Sequence, residues 1–259
     1  MKTLGSILMA WTAIATCAGS ALAQEPAAAG AAATVATSTA SSGWKYIVEP
    51  YFLLPNMSGT TGVGTVTADV DAGTGDILGA LDFGAMLYLE MHDARWACSL
   101  DGMYMNLGAE ETTPLGTVDL DLKQLGVMAA GYRRVAPWAE AMLALQYNGL
   151  EAGLVGSGPL AVERSSDKSW VDPYVGVRLM SPGAGKWRVE FLGAVGGFGV
   201  GSQFAWQAFP QAGYRVSELF EITGGFRALD MDYEDGSGSE AFVYDMTTYG
   251  GQLGARFHF

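Results

Sequence analysis

Two histidines, His92 and His258, and two cysteines, Cys17 and Cys98, are the side chains of this sequence best suited to nucleophilic or acid–base work. Hydrolysis or acyl transfer needs a nucleophile, a base and an orienting carboxylate within hydrogen-bond reach. His92 lies in the turn-like "HDAR" and His258 is the penultimate residue, and neither has an obvious nucleophilic serine beside it. Cys98, in "RWACSL", shares an alternating phase with Trp96 and Leu100, which reads as an apolar face. The expectation is a protein that is not an enzyme and has no cofactor. A metal reading attaches to "LDMDYEDGSGSE", where Asp230, Asp232 and Glu234 have the first spacings of a calcium-binding loop. Asp235 occupies the sixth position, where that loop needs glycine, and no flanking helices are expected. These three acids are therefore weak metal candidates, better read as a solvated acidic loop.

The other charged residues recur at every second position, which is the spacing of a strand with two unlike faces. In "WRVEFLGAVGG" Trp187, Val189 and Phe191 oppose Arg188 and Glu190. In "LFEITGGFRAL" Phe220, Ile222 and Phe226 oppose Glu221 and Arg227, and "VDLDLK" sets Val118, Leu120 and Leu122 against Asp119, Asp121 and Lys123. Similar strands fit 44–56, 83–92, 95–107, 138–150 and 170–180. Many of these exceed the five or six residues common in globular sheets, and segments of about ten alternating residues separated by turns mark a transmembrane β-barrel. The last strand carries the point furthest. Tyr249, Leu253, Phe257 and Phe259 share one phase, and ten residues separate the outer two aromatics, roughly 25 Å along a membrane normal for a tilted strand. That is the height of an apolar band between two aromatic girdles.

The start of the chain agrees. "MKTLGSILMAWTAIATCAGSALAQ" has a basic start, an apolar run and Ala21-Leu22-Ala23 before Gln24, so residues 1–23 read as a cleaved signal peptide. A competing reading makes Cys17 a lipid-modified cysteine, with Thr16 an awkward residue before such a cut. Residues 24–43, rich in Ala, Ser and Thr, read as a disordered leader, and 44–259 as an outer-membrane barrel. With cleavage after Ala23, Cys98 stands without a disulfide partner. The formal net charge of −13 argues against binding nucleic acid.

The fold class expected is thus all-β: an antiparallel transmembrane β-barrel of about ten strands, with twelve as the alternative. Short connections at 92–95, 133–138, 181–186 and 215–219 would face the periplasm. Longer ones at 57–82, 108–117, 151–169 and 230–242 would face outward. Within the first, 65–72 reads as a small hairpin and 75–82 as a turn of helix folded into the mouth. The lumen is expected to receive Asp101, Asp119, Asp121, Lys123, Glu140, Asp172, Arg178, Arg188, Glu190, Arg215, Glu221, Arg227 and Arg256. Seven acids and six bases in a narrow lumen suggest a paired network rather than an open channel.

"NMSGTTGVG", "GDILGALDFGAMLYLE", "RWACSLDGMYMNL", "SWVDPYVGVRL", "GAVGGFGVGSQFAWQ", "GYRVSELFEITGGFRALDMDYEDG" and "ARFHF" resemble segments of uncharacterised Gram-negative outer-membrane β-barrel proteins. The likeness spans about 44–259 and is specific for fold and address rather than activity. More distantly, the plan resembles OmpW-type barrels, whose members pass small or hydrophobic compounds. "SDKSWVDPYVGVRL" is similar to their strand after a long outer loop. The resemblance implies that Tyr249, Phe257 and Phe259 form the signal read by the barrel-insertion machinery. It also implies partners among outer-membrane lipid and lipopolysaccharide. The functional expectation is a narrow passive conduit for small or amphipathic solutes, with 57–82 as a partial plug. The alternatives are a sealed structural or surface-interaction barrel acting through acidic outer loops, and a lipid-acting enzyme.

Overall fold

The computed structural model describes residues 43–259 apart from 64–65, 114–115, 157–161, 182–184 and 239–240. The signal peptide expected at 1–23 and nearly all of the leader lie outside the described residues. Eleven strands follow in order: β1 (Lys45–Val63), β2 (Val66–Ala72), β3 (Leu81–His92), β4 (Trp96–Thr113), β5 (Gly116–Ala136), β6 (Ala139–Gly156), β7 (Val162–Met180), β8 (Trp187–Gly196), β9 (Phe204–Arg215), β10 (Phe220–Asp235) and β11 (Phe242–His258). A six-residue helix, α1 (Thr74–Gly79), lies between β2 and β3.

Ten of the strands pair antiparallel with their neighbours, and β11 returns to pair with β1, from Ile47↔His258 to Val63↔Phe242. Closure leaves the ring without a free edge strand, as hydrocarbon demands, although residues 51–56 of β1 have no strand partner on the β3 side. The eleventh, β2, is a short hairpin arm on the upper half of β1, from Met57↔Ala72 to Val63↔Val66. Ten wall strands, an accessory hairpin and a helical turn match the arrangement expected from the sequence.

Side chains alternate in and out of this wall. The outward phase of the lower two-thirds is apolar and exposed: Leu143, Leu145, Val175, Val177, Ile222 and Leu253 have nothing folded over them. Exposed Trp96, Trp138 and Trp187 ring the end that carries the short turns, together with Tyr214 and Phe257. Arg133 lies 4.5 Å from the Trp96 ring centroid and Lys186 5.7 Å from that of Tyr214, cations against rings as at a lipid–water interface. In the first of these turns the Asp93 carboxylate accepts the N–H groups of Arg95 (2.6 Å) and Trp96 (2.7 Å). Those bonds hold its pKa below the usual aspartate value.

The strands reach further than their sequence pattern suggested. The stretches 108–117 and 151–169, read as long outer loops, are mostly extensions of β4, β5, β6 and β7. In these extensions the polarity of the two faces reverses. Going outward, the outer face changes from Leu54 to Asn56, Tyr104 to Asn106, Leu125 to Lys123, Val171 to Ser169, Ala228 to Asp230 and Tyr249 to Thr247. Below the change the outer face meets lipid, and above it water, so the apolar phase turns inward only in the upper part. Asp119, Asp121 and Lys123 were expected in the lumen. They instead stand on the outward phase, and exposed Lys123 pairs with exposed Glu151 at 3.5 Å. That is a correction, and its cause is the change of solvent along one strand.

Candidate functional site

The lumen is layered along its axis. At the end that carries the short turns, β7 places Arg178 among residues from β3, β5 and β6. Its Nε and Nη2 donate to Glu140 Oε2 at 2.8 and 2.5 Å, and its Nη1 donates to Glu90 and, at 3.2 Å, to the Tyr88 hydroxyl. The guanidinium also stacks 4.1 Å from the Tyr132 ring, and Arg134 Nη2 reaches Glu140 Oε1 at 2.7 Å. Beside this cluster, β11 contributes Arg256. Its Nε donates to Glu49 Oε2 at 2.6 Å, its Nη1 to Glu190 at 3.2 Å and its Nη2 to Gln211 at 2.8 Å. Glu221 lies 3.7 Å from Arg256 and 3.2 Å from His258, with half-exposed Arg215 also at 3.7 Å. Glu49, Glu140 and Glu221 are each at most 2% exposed. Charges so deep persist because each has an opposite charge and further hydrogen bonds. Together the clusters form a floor. Arg188 borders a polar cavity of about 190 Å³ at the mouth on the short-turn side, with Arg134 and Arg256.

Above the floor, Arg227 donates to Asp101 Oδ2 at 2.8 Å while the Tyr51 hydroxyl donates to Asp101 Oδ1 at 2.6 Å. Arg227 also lies over the rings of Phe209 and Tyr51, at 4.7 and 5.3 Å. On one side of the lumen Asp172, wholly buried, accepts the Ser202 N–H at 2.6 Å, the Ser202 hydroxyl at 2.8 Å, Trp170 Nε1 at 3.0 Å and Asn148 Nδ2 at 3.2 Å. These bonds draw the turn 197–203, between β8 and β9, inward. A Cβ on Gly197, at φ +83°, would meet the Ser202 carbonyl at 2.7 Å, so the turn needs glycine there.

Higher still the lining is apolar. A chamber of about 90 Å³ is bounded by Met57, Ile77, Leu122, Leu150, Tyr244 and Met246. Trp170 stacks on Tyr233 at 4.2 Å beside it, and Phe242 adjoins Tyr233 at 6.0 Å. The Tyr244 hydroxyl is buried without a hydrogen-bond partner of normal geometry, with the Gln124 side chain beside it. At the upper rim Lys168 Nζ donates to Asp235 at 2.8 Å.

Of the residues expected in the lumen, Asp101, Glu140, Asp172, Arg178, Arg188, Glu190, Arg215, Glu221, Arg227 and Arg256 thus stand on the inward phase, most of them bonded to one another. Sequence reasoning missed Glu49, Glu90 and Arg134. The alternation Tyr88, Glu90, His92 could have shown the second. Glu49 shares its phase with Ile47 and Leu53, which hid it. Asp230, Asp232 and Glu234 stand on the outward phase of β10, with Asp245 opposite Asp232, so they spread along a strand rather than wrap round one point. Tyr249 and Phe257 face outward, and Phe259 ends the chain with its backbone bonded to Tyr46. His92 Nδ1 lies 3.0 Å from Glu90. Among the described residues neither imidazole is hydrogen-bonded to a hydroxyl or thiol. Cys98 is exposed on the outward face.

A closed antiparallel ten-strand barrel with an apolar outer belt, a girdle of tryptophans and a polar floor is an integral protein of the bacterial outer membrane. No family model matches the chain, and no curated protein matches it in sequence. Among solved structures it is similar to the outer-membrane protease OmpT of Escherichia coli (TM-score 0.45, 8% identity, 83% of this chain and 96% of that one). It is also similar to Ail, the attachment invasion locus protein of Yersinia pestis (0.39, 12%, 83% and 98%, in complex with sucrose octasulfate). A third is the Pseudomonas putida toluene transporter TodX (0.33, 8%, 85% and 89%).

Proposed function

We infer that this barrel takes up small amphipathic molecules from the outer side of the membrane and passes no ions. One observation carries the reading: an apolar chamber lies above a floor of paired charges. An apolar chamber of this kind stays dry and admits apolar guests in place of water. The Tyr244 hydroxyl, with the Gln124 side chain beside it, supplies one polar anchor, which fits a guest with a short hydrocarbon body and a single hydroxyl or carbonyl. α1, which reaches the chamber through Ile77, acts as its partial plug.

Methionines test this directly. In nanodiscs with 13C-methyl-labelled methionine, 1-octanol is expected to shift Met57 and Met246 saturably while leaving Met180, near the periplasmic mouth, in place. Leu150→Trp, which fills the chamber, is expected to abolish the shifts. Shifts that never saturate, or that spread evenly over all methionines, would leave the sealed surface barrel as the better reading. That alternative draws on the same charged floor.

A further inference from the structure

The cavity of about 190 Å³ at the short-turn mouth is bordered by donors that the floor leaves without partners. Arg178 and Arg256, both buried, have every guanidinium nitrogen bonded to a carboxylate, to Gln211 or to the Tyr88 hydroxyl. They lend the cavity charge rather than bonds. Arg188, half-buried on β8, makes no salt bridge or side-chain hydrogen bond among the described residues. Glu221 feels its charge from beyond ion-pair distance. Arg134 directs Nε and Nη2 to Glu140 Oε1, at 3.1 and 2.7 Å, and its Nη1 has no bond among the described residues. Ser181, also on the cavity, accepts the Val189 N–H at 2.9 Å, and its own hydroxyl proton has no acceptor among the described residues.

The carboxylates of the floor lie behind these guanidinium groups. Glu49 and Glu140 are each 2% exposed, and four arginines border the cavity against two acids, Glu90 and Glu190. Those two acids are held by Arg178 and Arg256. Around the rim, exposed Lys45, Arg95, Arg133 and Lys186 outnumber Asp93 and Glu218. The outward carboxylates of β5 and β10 stand at the other end of a chain of net charge −13, so the axial field draws anions to the short-turn mouth. An unpaired guanidinium fork matches a carboxylate or a phosphate bidentately. A phosphoryl group has three oxygens to offer Arg188, Arg134 and Ser181, where a carboxylate has two. It would fill only part of the cavity and leave room for a small polar body.

We propose that this cavity binds a phosphate monoester with a small polar body, such as a sugar phosphate, with Arg188 as its main anchor. The site lies at the opposite end of the lumen from the apolar chamber and does not rest on the reading of that chamber. It is tested on the full mature barrel in a maltoside detergent free of lipid phosphate, at about 0.15 M salt. Calorimetric titration with glucose-6-phosphate is expected to show saturable, single-site binding, with inorganic phosphate weaker and glucose silent. Arg188→Gln should weaken the binding at least about tenfold, as loss of charge-assisted bonds does. Lys186→Gln, on the exposed rim, should leave it unchanged. In the unaltered protein, glucose-6-phosphate should slow the modification of Arg188 by phenylglyoxal, read by mass spectrometry, and spare the rate at Arg133. The absence of saturable binding would overturn the site, and so would binding that survives Arg188→Gln. Equal weakening by Lys186→Gln, or equal protection of Arg133, would reduce it to diffuse attraction by a basic rim. Inorganic phosphate binding as tightly as the ester would overturn the monoester assignment.

Discussion

Arg178 holds two buried carboxylates, Glu90 and Glu140, and lies over Tyr132. Replacing it with leucine leaves both acids without their main counter-charge, a change that costs about 3–5 kcal/mol when a buried pair is broken. Arg178→Leu is expected to lower the urea midpoint of the refolded barrel accordingly. Arg215→Leu, at the half-exposed rim, should change it by no more than about 1 kcal/mol. Residues of this kind were partly legible in the sequence. Arg178, Glu140 and Arg256 stand opposite clean apolar phases, whereas Glu49 sits where both phases of the strand look apolar. Side-chain partners across the lumen come from strands far apart in the chain, as with Arg256 and Glu49, and no local pattern announces them.

At the scale of the element, the turn 197–203 depends on one acceptor. Asp172→Ala removes the partner of the Ser202 N–H and hydroxyl and one of the two acceptors of Trp170 Nε1, and one unsatisfied buried group costs about 1–3 kcal/mol. Faster amide exchange at Ser202, with β8 and β9 below it unchanged, is the expected outcome. The glycine-rich "GGFGVGS" at 196–202 reads as an outer turn, but its inward fold is not readable because Asp172 belongs to another strand. Strand existence was legible wherever lipid faces the wall, since there the alternation of Val189, Phe191 and Ile222 with Arg188, Glu190 and Glu221 is clean. Strand length was not. Where β5 leaves the membrane, Leu122 turns from the expected outward face to the chamber, and a rule that assumes one solvent per strand assigns Asp119 and Asp121 to the wrong side.

For the whole molecule, the paired floor bears on whether ions cross. Reconstituted in planar bilayers, the wild-type barrel is expected to show no discrete ionic steps, with folding confirmed by heat-dependent migration on a gel. Steps of a wide pore would contradict the paired floor. The ring itself was legible from strand count and from the aromatic end of the chain. The unladdered stretch of β1 was not, because Pro55 alone does not say which neighbour is missing.

The reversal of polarity along β1, β4, β5, β7, β10 and β11 has a consequence for how deep the protein floats. The outward carboxylates and Lys123 ring the barrel just above the apolar belt, and sinking it by a few ångström would drag them into hydrocarbon. The tryptophans at the other end oppose displacement the opposite way. The molecule thus has a fixed draught, and bilayer thickness must adapt to the protein rather than the reverse. Unfolding free energy measured across phosphatidylcholines of increasing chain length should peak where the hydrocarbon matches the belt. It should fall in thicker bilayers, and Asp230→Asn/Asp232→Asn should lessen that fall.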